Sequence, residues 1–207
     1  DYETLFLRLS QGDGPASVAE MELEGRTKAL AGSHRFFHWS LEFPDVFTSE
    51  EGGFDADVGN PPWDVLQPNT QEFYIQYDPH FRKYEKQDAM KRIKELHEKH
   101  PDIVVKWDAY EKSFQEAAAY AKEPAAFTAL TVGKIDLYKA FLERFFHLLR
   151  NGGRMGIVVP SGLYTDQVCQ PLRQMFFSHS RIDCLYGFEN RWPTIFTAVD
   201  GRFKFII

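Results

Sequence analysis

The sequence predicts an α/β fold with a mostly parallel sheet, and three observations support this prediction. An apolar-leaning segment at 54–59 has the length of a strand and is bounded by glycines and prolines. After a long polar region, helix-like and strand-like segments alternate to the end of the chain. Such alternation is typical of parallel strands joined by crossover helices.

The first part of the chain contains a helix, an extended segment and a strand. Apolar spacing predicts a helix over 16–31 that ends at Gly32. Over 37–43, aromatic and apolar residues alternate with polar ones, which predicts an extended segment with one buried face. The strand Phe54 to Gly59 follows, delimited by Gly52-Gly53 before it and by two prolines after it.

Residues 66–131 are polar and charge-rich, and they predict a helical insertion. Within it, Trp107, Tyr110 and Phe114 begin an apolar series at helical spacing, which indicates an amphipathic helix up to Pro124. The preceding stretch, 82–101, is mixed in charge and weakly amphipathic. We interpret it as a solvated helix, with a contact to a DNA backbone as the alternative.

After the insertion the sequence predicts helix, strand, helix and two strands. Asp136 is expected to cap a helix that ends at the Asn-Gly-Gly of 151–153. The run MGIVVP predicts a buried strand to Pro160, and 166–177 predicts a second helix. The strands IDCLYGF and KFII follow, and the short link between them favours an antiparallel pair at one edge.

Composition excludes several functional classes. The 24 Lys and Arg against 30 Asp and Glu give a net charge of −6, which argues against a nucleic-acid binder held by its overall field. The two cysteines, Cys169 and Cys184, form no CxxC or Cys/His cluster, so no disulfide framework, structural zinc or other metal site is expected. They fit a reducing compartment. No apolar run approaches the roughly 18 residues of a membrane span.

The four residues after the first predicted strand, Asn60, Pro61, Pro62 and Trp63, are the candidate site. In an open α/β sheet, ligands bind at the carboxyl ends of the strands, where these residues lie. Pro61 restricts Asn60 to extended conformations, and neither proline has an N–H, so the loop cannot relax into a helix. The Asn60 side-chain oxygen and the Pro61 carbonyl are then two fixed acceptors beside the flat face of Trp63. This arrangement suits a planar group with an exocyclic amine, such as adenine.

Asn60-Pro61-Pro62-Trp63 resembles the [NDS]-P-P-[YFW] motif of amino-group methyltransferases that use S-adenosylmethionine (AdoMet). Four flanking segments, FHWSLEFPDVF, FDADVGNPPW, GKIDLYKAF and NGGRMGIVVPSGLYTD, are similar in order to segments of large bacterial adenine-specific DNA methylases of restriction-modification and phage-defence systems. The similarity extends from about Phe36 to the last residue.

The resemblance implies a Rossmann-like methyltransferase fold, AdoMet as cofactor and double-stranded DNA as partner, in the bacterial cytoplasm. Asn60 and Pro61 would bind the N6 amine of the target adenine and would also contact the cofactor. Pro62 would hold the loop, Trp63 would stack on the flipped-out base, and no metal is implied. The glycine-rich loop that cradles AdoMet in these enzymes does not occur in the sequence. Residues 1–207 are therefore interpreted as the C-terminal half of one catalytic domain, with the glycine-loop half and the target-recognition domain elsewhere in the parent protein.

Asp57 is an unusual charge inside a strand, expected at an edge or in a solvated position.

Two other functions remain open at this stage. The same Asn-Pro-Pro-aromatic arrangement also serves methylases of protein glutamine or of RNA amines, and the chain could be a non-catalytic interaction module that keeps the fold. A nuclease in this stretch is not supported, because no lysine lies two residues after an Asp or Glu.

Overall fold

The structure, a computed structural model, describes residues 11–15, 17–48, 51–130, 133–191, 194–197 and 199–207. The chain divides into two compact units, of which one ends at Gly52 and the other covers Gly53–Ile207. No helix within the described ranges is both long enough and apolar enough to cross a membrane.

The first unit contains the predicted helix, here named α1, which covers Val18–His34. The Ser17 hydroxyl accepts a hydrogen bond from the Glu20 amide at 3.2 Å, which satisfies one of the free donors of the first turn. The predicted first residue, Ala16, lies outside the described residues. The helix itself is therefore confirmed.

The predicted end of α1 at Gly32 is wrong. The helix continues to His34 and is capped by Arg35, whose φ of 49° is left-handed. The Arg35 amide donates to the Ala31 carbonyl at 2.8 Å, which closes the last turn.

The predicted extended segment over 37–43 is also wrong. Two short helices, α2 (Trp39–Glu42) and α3 (Pro44–Phe47), lie there. The rings of Trp39 and Phe43 stack at 5.9 Å, because residues four positions apart are neighbours on a helical turn. Residues that alternate along a strand also recur every four positions, so the aromatic pattern is compatible with helical turns as well as with a strand.

The second unit is built on a parallel pair of strands, β1 (Phe54–Gly59) and β2 (Leu149–Ile157). Strand β1 has the predicted bounds, and Gly59 lies opposite Ile157. The Gly59 carbonyl accepts from the Val158 amide at 2.9 Å, so the segments that leave the two strands start side by side. The pair thus brings the residues after Gly59 to the carboxyl edge of the sheet.

Three more strands form a separate sheet: β3 (Val159–Pro160), β4 (Gly187–Glu189) and β5 (Lys204–Ile206), in the order β3-β5-β4. Both pairings are antiparallel, which confirms the predicted antiparallel pair of the last two strands. Among the described residues only the β1–β2 pair is parallel, so the fold is mixed α/β rather than built on one mostly parallel sheet.

Two predicted strands are divided or shortened. The run MGIVVP passes from β2 into β3 and so contributes to both sheets. The run IDCLYGF forms a strand only at its end, where β4 pairs with β5 and Tyr186 exchanges backbone hydrogen bonds with Ile207.

The segment between the residues that follow β1 and Asp136 contains three described α-helices, α4 (Thr70–Tyr74), α5 (Lys86–Lys99) and α6 (Pro101–Ala121). The predicted amphipathic helix is confirmed within α6. These helices enclose their own core, formed by Phe73, Tyr74, Phe81, Leu96 and Ile103.

Helix α5 buries more of one face than the sequence suggested. Leu96 is buried, and Ala89 and Ile93 pack against the same core, at the spacing of one helical face. The opposite face is exposed and charged, so the solvated-helix interpretation holds for that face only.

Helix α7 covers Leu137–Leu148 with Asp136 at the N-cap position, as predicted. The Asp136 carboxylate makes no capping hydrogen bond and instead forms an ion pair with the buried Lys139 at 2.5 Å. The helix ends at Leu148, so the Asn-Gly-Gly of 151–153 does not terminate it and lies in β2 instead. Gly152 there has a φ of 74°, which explains the need for glycine at an irregular part of the strand.

The remaining helices are α8 (Gly162–Thr165) and α9 (Gln170–His179), with a 3₁₀ turn at Gln167–Cys169 between them. The predicted helix over 166–177 is thus confirmed but starts four residues later and ends two residues later, since the turn precedes it. Helices α7 and α9 and strands β2, β3 and β5 share the main core, formed by Ala129, Tyr138, Leu142, Ile157, Val159, Leu172, Phe176 and Ile206.

Candidate active site

The four predicted site residues follow β1 directly, at the carboxyl edge of the parallel pair. Asn60 and Pro62 are exposed, Pro61 is buried and Trp63 is half-buried. The two prolines fix the backbone at this point, since each locks its own φ and Pro61 also restricts the residue before it. The Asn60 side chain therefore projects from a rigid loop that is anchored by a buried proline.

A cavity of about 260 Å³ lies beside this loop. Its lining residues are Asn60, Pro61, Pro62, Trp63, Asp64, Phe196 and Val199. All four residues predicted from the sequence thus line one cavity, together with three that were not predicted. Sites for whole small molecules typically measure about 300–1,000 Å³. The cavity is accordingly of a size for a single ring system.

Trp63 is held from behind by the main core and from the side by two phenylalanines. Its ring meets Phe196 edge to face at 5.4 Å and 73°, and it is tilted against Phe205 of β5 at 6.0 Å. The indole also packs against the main core. The Trp63 Nε1–H is buried and has no hydrogen-bond partner within the described part of the chain. Trp63 is therefore a fixed wall that exposes only part of its surface to the cavity.

The chain that leaves Trp63 is tied to the start of helix α7. The Asp64 carbonyl accepts from the Leu137 amide at 2.9 Å, and the Leu66 amide donates to the Ile135 carbonyl at 2.7 Å. Val65 and Asp136 form a β-bridge between these two bonds. The loop is thus fixed on both sides, by β1 before it and by this short ladder after it.

The far wall of the cavity comes from the loop that connects β4 to β5. Phe196 and Val199 in this loop face the residues that follow β1. The side chain of Asn190, directly after β4, is fully buried and makes hydrogen bonds to the backbone of Ile195, Phe196 and Val199. These bonds hold the described residues Ile195, Phe196 and Val199 to Asn190 beside the cavity.

Two carboxylates carry the electrostatics near this site. Asp64 is the one titratable side chain among the described residues that line the cavity, and the lining contains no cation. Asp57 lies within β1, half-buried and opposite Met155, and burial raises the pKa of its carboxyl above the ordinary value. Asp57 was expected at an edge or in a solvated position. It does lie in an edge strand, since β1 pairs only with β2 among the described strands, but its side chain is half-buried. A negative potential at the cavity favours groups on which positive charge develops.

The described lining suits a planar group with an amine better than it suits a whole nucleotide cofactor. The cavity offers acceptors and an aromatic wall, but no helix N-terminus preceded by a glycine-rich turn lines it. Among the described residues there is also no cluster of three or more His, Cys, Asp or Glu side chains that could hold a metal ion.

Sequence reasoning missed Phe196, Val199 and Asn190. They lie in the turn-rich connection PTIFTAVDG and just before it, where no periodic pattern indicates burial. The available signals were two apolar pairs, Ile195-Phe196 and Ala198-Val199, in an otherwise turn-like stretch, together with a polar residue directly after a strand.

Comparison with known proteins identifies the family. The model of the Eco57I restriction-modification methylase family matches residues 6–105 and 110–193, which include β1, the Asn60–Trp63 loop and helix α7. A search of curated proteins found no match. Since the family model covers most of the chain, the chain belongs to the Eco57I restriction-modification methylases, a family of DNA methyltransferases.

Proposed function

We propose that the protein transfers a methyl group from AdoMet to N6 of adenine in double-stranded DNA. Family membership supports DNA methylation of the restriction-modification type. The observation that carries the adenine assignment is the cavity in which the exposed Asn60 lies beside the Trp63 ring. An amide oxygen next to an aromatic wall suits a planar ring with an exocyclic amine.

In this proposal, Asn60 and Pro61 act on the reacting amine. The Asn60 side-chain oxygen accepts one N6–H and the Pro61 carbonyl accepts the other, which draws the nitrogen lone pair out of conjugation with the ring. AdoMet, when bound, supplies an electrophilic methyl group. The N6–C bond would form as the S–CH₃ bond of the sulfonium breaks, with S-adenosylhomocysteine as the leaving group. The positive charge that grows on N6 would be stabilised by the two acceptors. The Asp64 carboxylate at the same cavity adds a favourable negative potential, and the proton then leaves to solvent.

The adenine must leave the duplex to reach such a site. Unstacking costs a few kcal/mol, which contacts in the cavity must offset. Stacking on an aromatic side chain contributes about 1–3 kcal/mol per base. Trp63 supplies this face, and Phe196 closes the cavity at right angles to it. Pro62 maintains the loop shape that keeps Asn60 and Trp63 together.

We also propose the place of this chain in the enzyme. Residues 1–207 would belong to one catalytic domain with a Rossmann-like fold, in which 66–131 is a helical insertion. The ladder between Asp64–Leu66 and Ile135–Leu137 supports this view, because it brings the two ends of the helical segment together. The glycine-rich AdoMet loop and the target-recognition domain would be contributed by other parts of the protein.

The experiment that tests the proposal is a map of N6-methyladenine in DNA from cells that express the full-length protein, with an Asn60→Ala strain as the reference. We expect one modified sequence motif that disappears in the variant. If no adenine motif is modified, N6 methylation of DNA is refuted. Transfer of labelled methyl groups to protein or RNA in the same cells would then favour the glutamine or RNA-amine alternative.

A further inference from the structure

The side chain of Asn190 is the centre of the loop that forms the far wall of the Trp63 cavity. It is fully buried, at 0% exposure, and lies directly after β4. Its Nδ2 donates to the carbonyls of Phe196 and Val199, both at 2.9 Å. Its Oδ1 accepts from the amides of Ile195 and Phe196, at 3.1 and 2.9 Å.

These four bonds use the complete hydrogen-bonding capacity of one amide, which has two donors and two acceptor positions. They also fix its orientation, since a flipped amide would turn its NH₂ toward two N–H groups. Only a neutral amide of this length satisfies two carbonyls and two amides at once. An aspartate would place an oxygen against the two carbonyls and leave them without donors.

The bonds hold the residues that line the cavity. Phe196 and Val199 are the two lining residues from this loop, and Asn190 bonds to the backbone of both. The Asn190 backbone is itself fixed, since its amide donates to the Phe203 carbonyl at 2.9 Å in the return to β5. The geometry of the wall therefore depends on one side chain that does not touch the cavity.

We propose that Asn190 is a positioning residue that sets the Phe196 wall against Trp63 and thereby controls the binding of the target base. The identity of the bound base in this inference rests on the proposed function. The role of Asn190 in holding Phe196 does not. Because Asn190 acts through Phe196, substitution of Asn190 removes contacts to the base. It does not remove a group that takes part in the reaction.

The structural part is tested without DNA, by hydrogen exchange on the full-length protein and on the Asn190→Leu variant, which is similar in volume but has neither the acceptor nor the donors of the amide. We expect the Ile195 and Phe196 amides to exchange at least about tenfold faster in the variant, as the loss of one hydrogen bond predicts. Exchange in β1 and β2 should be unchanged. Equal protection at 195–196 in both proteins would overturn the proposal. If Asn190→Leu does not fold, Asn190→Ser, which keeps a small neutral polar group, takes its place in every measurement.

The functional part is tested by a double-mutant cycle of Asn190→Leu and Phe196→Ala. The substrate is a duplex with the mapped motif, and a second duplex carries 2-aminopurine at the target position to report the flipped base. We expect each single variant to raise KM for DNA about tenfold with a smaller change in kcat, and to lower the 2-aminopurine emission. The KM for DNA of the double variant should stay within about twofold of that of Phe196→Ala, because Asn190 acts through the Phe196 ring.

Additive losses in the cycle would overturn the positioning role, since they would show that Asn190 acts independently of Phe196. The two levels of the argument fail separately. A wild-type protein with no adenine methylation refutes the proposed function, whereas unchanged hydrogen exchange at 195–196 refutes the role of Asn190 whatever the activity.

Discussion

The Asp64 carbonyl accepts a hydrogen bond from the Leu137 amide at 2.9 Å, although three helices separate the two residues in the chain. This bond joins the end of the candidate loop to the first turn of α7. It means that the position of Trp63 depends on how α7 is held in the main core. Contacts that fix α7 are therefore expected to influence the site without touching it.

Glu143 on α7 is the strongest such contact. It is fully buried, and its carboxylate accepts from the Thr128 hydroxyl at 2.8 Å, from the Ala129 amide at 3.1 Å and from the Thr128 amide. We expect Glu143→Gln to lower the free energy of unfolding by about 1–3 kcal/mol, because the hydrogen bonds at Oε1 are no longer made to a charged group and an NH₂ group replaces the oxygen Oε2 beside the Ala129 amide. Chemical denaturation measures this loss. Glu116→Gln, on an exposed ion pair, is the control and should change stability by less than about 0.5 kcal/mol.

The Asn60 side chain is the acceptor that the proposed reaction requires. We expect Asn60→Ala to reduce kcat for methyl transfer by about 10²–10³-fold, the usual cost of removing one group that stabilises a transition state. The variant should keep the wild-type melting temperature, since Asn60 is exposed. The steady-state rate of methyl incorporation into DNA measures this loss of kcat. Asn151→Ala, an equally exposed asparagine in β2, should retain full activity, and an Asn60→Ala enzyme of undiminished rate would remove Asn60 from the mechanism.

Trp63 combines two roles that different substitutions can separate. Trp63→Phe retains an aromatic face and part of the packing against Phe196 and Phe205, so we expect base binding to weaken only a few-fold. Trp63→Leu keeps an apolar residue in the core but loses the stacking face, so binding of the flipped base should weaken by about 1–3 kcal/mol. Emission of 2-aminopurine at the target position reports the difference. Equal emission with both variants would exclude stacking on residue 63.

Sequence reasoning located the site because the signals there are local. Two glycines and two prolines enclose β1, so its bounds and the position of Asn60 could be predicted from neighbouring residues. The opposite wall of the cavity could not be predicted in this way. Phe196 reaches Trp63 only through the return of the loop between β4 and β5, and nothing near Phe196 in the chain indicates that contact.

The errors in secondary structure have a similar cause. Strand pairing depends on the partner, so the apolar run before Gly187 stayed unpaired for most of its length. The alternating aromatics before Pro44 formed helical turns, because Trp39 and Phe43 are also one turn apart. The Asn-Gly-Gly at 151–153 indicated a residue with positive φ, and Gly152 has one. A positive φ occurs at irregular positions of strands as well as at helix ends, so the predicted helix end was wrong.

Asp78 in the helical segment gives a prediction about pH. It is buried, and its carboxylate accepts from the Arg92 guanidinium at 2.6 Å, the Tyr84 hydroxyl at 3.1 Å and the His80 amide at 3.0 Å. The hydrogen bond from Arg92, with those from His80 and Tyr84, holds the pKa of Asp78 below its ordinary value of 3.8, against the opposing effect of burial. A group with a lowered pKa in the folded state stabilises the fold above its unfolded pKa, and this contribution is lost as the pH falls through the folded pKa.

We therefore expect Asp78→Asn to be less stable than the wild-type protein at pH 7, with a difference that shrinks as the pH falls below about 3.8. Urea unfolding followed at a series of pH values measures the difference. Asp88→Asn is the control, since Asp88 is exposed and lies 3.6 Å from an exposed Lys91, so its effect should be small at every pH. A stability difference for Asp78→Asn that stays constant from pH 7 to pH 3 would show that the charge of Asp78 is not what stabilises the helical segment.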